Sequence, residues 1–121
     1  MTTDQPGSPD GLPDFDQPMA LSFHADDSLL VVSGCVEEDE AVSLKAAIAD
    51  HTDDHTHALT VDLSAVTYFP SAAVGVVARA MGRSREAGVA LDLVAAEGSI
   101  TQRVLEICGV PYRKTLVPQP S

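Results

Sequence analysis

Between about Met19 and Val117 the spacing of apolar positions switches repeatedly between two and three-to-four, the signature of strands alternating with helices. Met19, Leu21 and Phe23 alternate with Ala20, Ser22 and His24. Asp26 and Asp27 then turn the chain into the run Leu29-Leu30-Val31-Val32. This reads as a hairpin whose second strand is buried on both faces and ends near Gly34. From Asp39 the residues Ala41, Leu44 and Ile48 recur at helical spacing, and Glu37, Glu38, Asp39 and Glu40 sit where the helix dipole favours negative charge. Leu59, Val61 and Leu63 predict a third strand, and Val74, Val77, Ala78 and Met81 a second helix running to Gly88. A fourth strand follows on Val89, Leu91 and Leu93. Ser99-Ile100-Thr101-Gln102 is a capping-box pattern. It predicts a third helix with the apolar stripe Ile100, Val104, Ile107 and Cys108, stopped by Gly109 and Pro111. Tyr112 to Val117 supplies a last edge strand.

The expected order is therefore β-β-α-β-α-β-α-β. It implies an α/β fold with a mixed, mostly parallel sheet, right-handed crossovers and an N-terminal antiparallel strand. Four of the eight prolines fall within residues 1–18 among Asp, Ser and Gln, a composition that predicts a disordered tail. Residues 118–121 form a second tail, leaving one domain over residues 19–117.

Charge sharpens this picture. The chain carries −11 overall, and residues 1–66 hold fourteen acids against the single base Lys45 while residues 67–121 hold four acids and six bases. Nucleic acid and anionic membrane surfaces are disfavoured as partners by that repulsion. No apolar run approaches the roughly 20 residues that span a bilayer, and the polar N-terminus lacks a signal pattern. The expected location is the cytoplasm. The Lys-to-Arg ratio of 2 to 5, with abundant Ala, Val and Asp, fits a GC-rich bacterium.

Candidate chemistry concentrates where the third strand leaves the sheet, because functional groups in open α/β sheets gather where strand carboxyl ends meet helix N-termini. Pro70 holds Phe69 extended and places Ser71 as the N-cap of the second helix. A phosphate on Ser71 would bring roughly −1.5 to −2 charge to free amides and a favourable dipole. The segment His51-Thr52-Asp53-Asp54-His55-Thr56-His57 contains enough donors for a metal, but it is short, lacks a distant fourth ligand and reads as a polar connection. No metal or cofactor is expected. Cys35 and Cys108 read as buried thiols, with no base nearby to lower the pKa of Cys35. No P-loop and no nucleophile elbow is present. An enzyme combining Ser71 with a histidine of the 51–57 segment is the weakest of the functional alternatives.

Several stretches carry a resemblance in their joint order. They are Leu59-Thr60-Val61-Asp62-Leu63-Ser64-Ala65-Val66-Thr67-Tyr68-Phe69, the basic helix end from Arg83 to Gly88, Val89-Ala90-Leu91-Asp92-Leu93-Val94, and Val104-Leu105-Glu106-Ile107-Cys108-Gly109-Val110. Over about residues 19–117 the chain resembles STAS domains of the anti-sigma factor antagonist type. The resemblance implies a non-enzymatic module that binds an anti-sigma factor or a serine-kinase-type regulator. Phosphorylated members carry Asp-Ser-Ser/Thr-Gly-Leu in the loop, and the modified serine falls on Ser71, the candidate phosphoacceptor. The flanking positions are Pro70, Ala72 and Ala73 in place of aspartate, a hydroxyl residue and glycine. A second family acid, three residues after the glycine that ends strand two, falls on Glu37 after Gly34. The implied partner surface is Gly34, Glu37, Glu38 and Asp39 with Pro70, Ala72, Ala73 and Val74, the last offering apolar contact. The departures imply a phosphoswitch that is degenerate or altered. A phosphorylation-independent scaffold or subunit of a stress-signalling or transporter-associated complex is the alternative.

Overall fold

A computed structural model describes residues 18–53 and 57–115. The expected tails fall outside these residues, apart from Pro18, which forms a bridge with Cys35.

Four strands lie in the order β1-β2-β3-β4. β1 (Ala20–His24) pairs antiparallel with β2 (Leu29–Cys35) through a short 3-10 turn at Ala25–Asp27. β2 pairs in parallel with β3 (Leu59–Tyr68), and β3 in parallel with β4 (Leu91–Val94). Parallel neighbours need crossovers, supplied here by α1 (Glu38–His51) and α2 (Ser71–Glu86). These two helices pack against each other. α3 (Ile100–Cys108) follows β4 and packs on β3. The core joins Leu30, Val32, Leu44, Ile48, Val61, Leu63, Val77 and Leu93, drawn from both strands and helices.

The β2–β3 ladder is irregular. The partners run from Leu29↔Thr60 to Cys35↔Tyr68, with register shifts between Val31 and Ser33 and between Gly34 and Cys35, so β3 advances further than β2. Each extra residue exchanges the faces of the strand. Burial in β3 accordingly alternates at Leu59, Val61 and Leu63, then reappears at Val66 and at Phe69 just beyond the strand. The Asp62 carboxylate accepts the Ser64 amide (3.0 Å) within this stretch, and the Ser64 hydroxyl accepts the Ala96 amide (2.9 Å). Gly34 sits at the second shift with φ 84°, a left-handed conformation that a side chain would strain.

Four expectations are corrected here. Of the expected α3 stripe Val104 packs against the core, but Ile100 and Ile107 are 50% and 79% exposed, and Cys108 is exposed too. The buried residues are Thr101 and Leu105, because the Thr101 hydroxyl donates to the Leu63 carbonyl (2.9 Å) and fixes the helix rotation. In α2 it is Ala73, Val74, Val77 and Ala80 that turn inward, while Ala78 is exposed. The last strand is reduced to a bridge between Val94 and Arg113, closed by the Arg113 amide to the Leu93 carbonyl (2.7 Å) and the Ala95 amide to the Arg113 carbonyl (2.8 Å). Pro111 has no amide to extend such a ladder, and residues 116–121 lie outside the described part. β2 is also less enclosed than expected, with one face buried and Leu29, Val31 and Ser33 half-buried.

The predicted cap at α3 forms, with Ser99 Oγ accepting the Gln102 amide (3.1 Å), but the Gln102 side chain reaches back one residue further than in a capping box, to the Gly98 amide (2.7 Å), while the Ser99 amide donates to the Ala96 carbonyl. The rotation of α3 sets a test. Leu105→Ala removes a fully buried side chain and is expected to cost about 2–5 kcal/mol, whereas Ile107→Ala should stay within about 0.5 kcal/mol. Urea unfolding of the two variants measures the contrast, and the reverse ranking would refute this placement.

Candidate functional site

Each of the first two crossover helices begins where a parallel strand ends, so the N-termini of α1 and α2 lie at the carboxyl ends of β2 and β3. Those ends are held side by side by the pairing of Cys35 with Tyr68 and by the Val36 amide, which donates to the Tyr68 carbonyl at 3.1 Å. The result is a surface cleft of about 500 Å³ lined by Cys35, Glu37, Glu38, Asp39, Tyr68 and Pro70. Two segments thirty residues apart in sequence meet there, and the three acids form one wall.

On the α1 side Glu37 is the N-cap, its carbonyl receiving the Ala41 amide (2.8 Å), and Glu38, Asp39 and Glu40 follow in the first turn. Their charges offset the positive end of the helix dipole. Gly34 is buried beneath the cleft. Cys35 is 3% exposed, and its Sγ donates to Glu37 Oε2 at 3.8 Å. Burial pushes the Cys35 thiol above its ordinary value, and the neighbouring Glu37 carboxylate, through its charge and its hydrogen bond, pushes it further, as does the charge of Glu40. The thiolate is thereby suppressed.

On the α2 side the cap is Pro70, a correction to the expected role of Ser71. Pro70 is extended (φ −77°, ψ 172°), and its carbonyl receives the amides of Ala73 (2.9 Å) and Val74 (3.1 Å), which puts Ser71 at the first helical position. The first two helical amides, on Ser71 and Ala72, have no carbonyl one turn back within the helix. Ser71 and Ala72 are exposed beside the cleft. Ala73 and Val74 point into the core at 0% and 8% exposure, so the apolar contact expected from Val74 is not presented at the surface. Tyr68 is the exposed apolar surface there instead, 42% exposed on the cleft wall. Tyr68 and Cys35 were not among the expected surface residues, although an aromatic at a strand exit, just ahead of Phe69-Pro70, was a visible signal in a chain with only 4% aromatic residues.

The topology separates Ser71 from the described histidines of the 51–57 segment. His51 ends α1 and His57 precedes β3, whereas Ser71 follows β3, so the ten-residue strand separates them by about 30 Å. Asp54, His55 and Thr56 lie outside the described residues, among which no group of three metal-ligating side chains is brought together. No helix among the described residues is long and apolar enough to cross a membrane.

The family model described as the Mlab, STAS domain matches residues 19–117. The chain belongs to the STAS family. Its solved structural relatives include an anti-sigma factor antagonist from Mycobacterium paratuberculosis, 26% identical, covering 91% of this chain and 92% of that one with a TM-score of 0.64. A Thermotoga maritima protein, provisionally assigned as an anti-sigma factor antagonist, matches at 17% identity over 81% and 87% of the two chains (TM-score 0.62). The anti-sigma factor antagonist SpoIIAA in its unphosphorylated form matches at 15% identity over 83% and 90% (TM-score 0.58). The STAS fold is thus shared with anti-sigma factor antagonists over nearly the whole length of each.

The contrast between the two cysteines of this STAS domain is directly measurable. Iodoacetamide at neutral pH should modify the exposed Cys108 at least tenfold faster than Cys35, followed by peptide mass mapping. Faster modification of Cys35 would contradict the burial and charge assigned to the cleft floor.

Proposed function

We propose that this STAS domain is a regulatory module of the anti-sigma factor antagonist type, and that it docks an anti-sigma factor or related serine-kinase-type regulator on the cleft between α1 and α2. The observation that carries this reading is the convergence of the Glu37–Asp39 wall with Tyr68, Pro70 and the adjacent Ser71 in one surface. The likeness to anti-sigma factor antagonists supports it. Docking would sequester the regulator and so release a sigma factor. The three acids steer a partner with a basic surface and set the encounter rate, while Tyr68 supplies an amphipathic contact.

Ser71 is the position a phosphate would take, at the open end of α2, whose first turn carries no acid. Added charge there would lie beside the cleft that Glu37, Glu38 and Asp39 already line and be repelled by them. The loop, however, has Pro70 as a rigid cap and Ala73 locked in the core, and it lacks the carboxylate that precedes the serine in phosphorylated members. We take the phosphoswitch as degenerate and partner docking as retained.

Three experiments test this. Affinity capture from the native cell should recover an anti-sigma-type regulator, and association of the purified pair should slow about tenfold at low salt when Glu37, Glu38 and Asp39 are replaced by Gln, Gln and Asn. An unchanged, salt-insensitive association rate would move the interface elsewhere. Incubation with that regulator and ATP, followed by intact mass, should give slow or no phosphate addition; rapid stoichiometric addition abolished by Ser71→Ala would show the switch to be intact.

A further inference from the structure

A second concave site lies between α1 and α2, apart from the cleft. It is a groove of about 290 Å³ lined by Lys45, Ile48, Val76, Arg79, Ala80 and Arg83. Ile48 and Ala80 are buried and Val76 half-buried, so they form an apolar floor, and the three cations are exposed. The chain has seven basic residues against eighteen acids, and Lys45 is the single base among the first 66 residues, yet three of the seven border this groove. None of the three makes an ion pair among the described residues; the pair that does form joins Arg113 to Asp92 elsewhere. Arg79 and Arg83 stand one turn apart on α2, on the same face. Like charges gathered over apolar surface without carboxylate partners are left with unmet attraction for an anion.

We infer that the α1–α2 groove is a binding site for a small amphiphilic organic anion, whose carboxylate or phosphate is held by Lys45, Arg79 and Arg83 while its short apolar body covers Ile48, Val76 and Ala80. The volume is that of a single small ligand. A bare inorganic anion gains little at so exposed a site because solvent and salt screen it. An uncharged alkyl chain misses the cations. Both parts are needed, and each methylene laid on the floor strengthens binding by up to about fourfold. This inference does not rest on the partner-docking role of the cleft.

Titration of the full chain with sodium octanoate, followed by amide chemical shifts, provides the test. Saturable shifts are expected at Ile48, Val76, Arg79 and Ala80, with octanol and inorganic phosphate binding at least tenfold more weakly. The double substitution Arg79→Gln/Arg83→Gln should weaken octanoate at least tenfold while the rest of the spectrum stays native, and Lys45→Gln alone should weaken it by about threefold. The inference is overturned by the absence of saturable shifts at the groove, by equal binding of octanol or of phosphate, or by undiminished octanoate binding in both variants.

Discussion

The parallel pairing of β2 with β3 is the constraint on which the rest of the molecule depends. Because β2 runs parallel to β3, and β3 in turn to β4, β2 and β3 are each followed by a crossover helix that returns the chain, and both helices start at the same end of the sheet. The bond from the Val36 amide to the Tyr68 carbonyl closes that end. It brings an acidic turn and the Tyr68–Pro70 turn onto one cleft although the sequence keeps them far apart. The register shifts within the same ladder let β3 overrun β2, turn Val66 and Phe69 inward and expose Tyr68. The Leu63 carbonyl in this irregular stretch receives the Thr101 hydroxyl, so even the orientation of α3 is set from β3.

Two helix N-termini therefore share one cleft but differ electrostatically. The positive end of α1 is met by its own Glu38, Asp39 and Glu40, whereas α2 opens with Ser71, Ala72 and Ala73 and has no acid in its first turn. An incoming anionic group is drawn to α2 and an incoming cation to α1. The replacement of a permissive residue by Ala73 has a structural correlate: its methyl is fully buried in the core, and its amide joins that of Val74 on the Pro70 carbonyl. Packing and a rigid cap take the place of backbone freedom at this tip. That is the physical basis for separating docking from phosphorylation in the proposed role.

Much of the fold was legible in the sequence because periodicity reports burial directly. Ala41, Leu44 and Ile48 on α1, and Leu59, Val61 and Leu63 on β3, are buried as their spacing requires. The Ser99–Gln102 cap formed because its signal is local. What failed depended on tertiary partners. Most of the α3 stripe departs from its spacing because Thr101, polar by type, is buried by a hydrogen bond to a distant strand, while Ile100 and Ile107 are left outside. Ser71 gave up the cap to Pro70 because cap identity depends on which carbonyl receives the first amides, and Pro70 is already extended. The motif residues predicted the neighbourhood of the cleft; which of them face outward was decided by the register of β3, and that register leaves no mark in the apolar pattern before Val66.

The central claim is that the cleft at the ends of β2 and β3 is the docking surface for a protein regulator. Hydrogen–deuterium exchange of the captured complex against the free domain tests it most directly. The account predicts new protection in Gly34–Asp39 and in Tyr68–Ala72, with the exposed face of α3 around Ile107 unchanged. Protection confined to α3 or to β1, with the cleft exchanging as in the free domain, would contradict it.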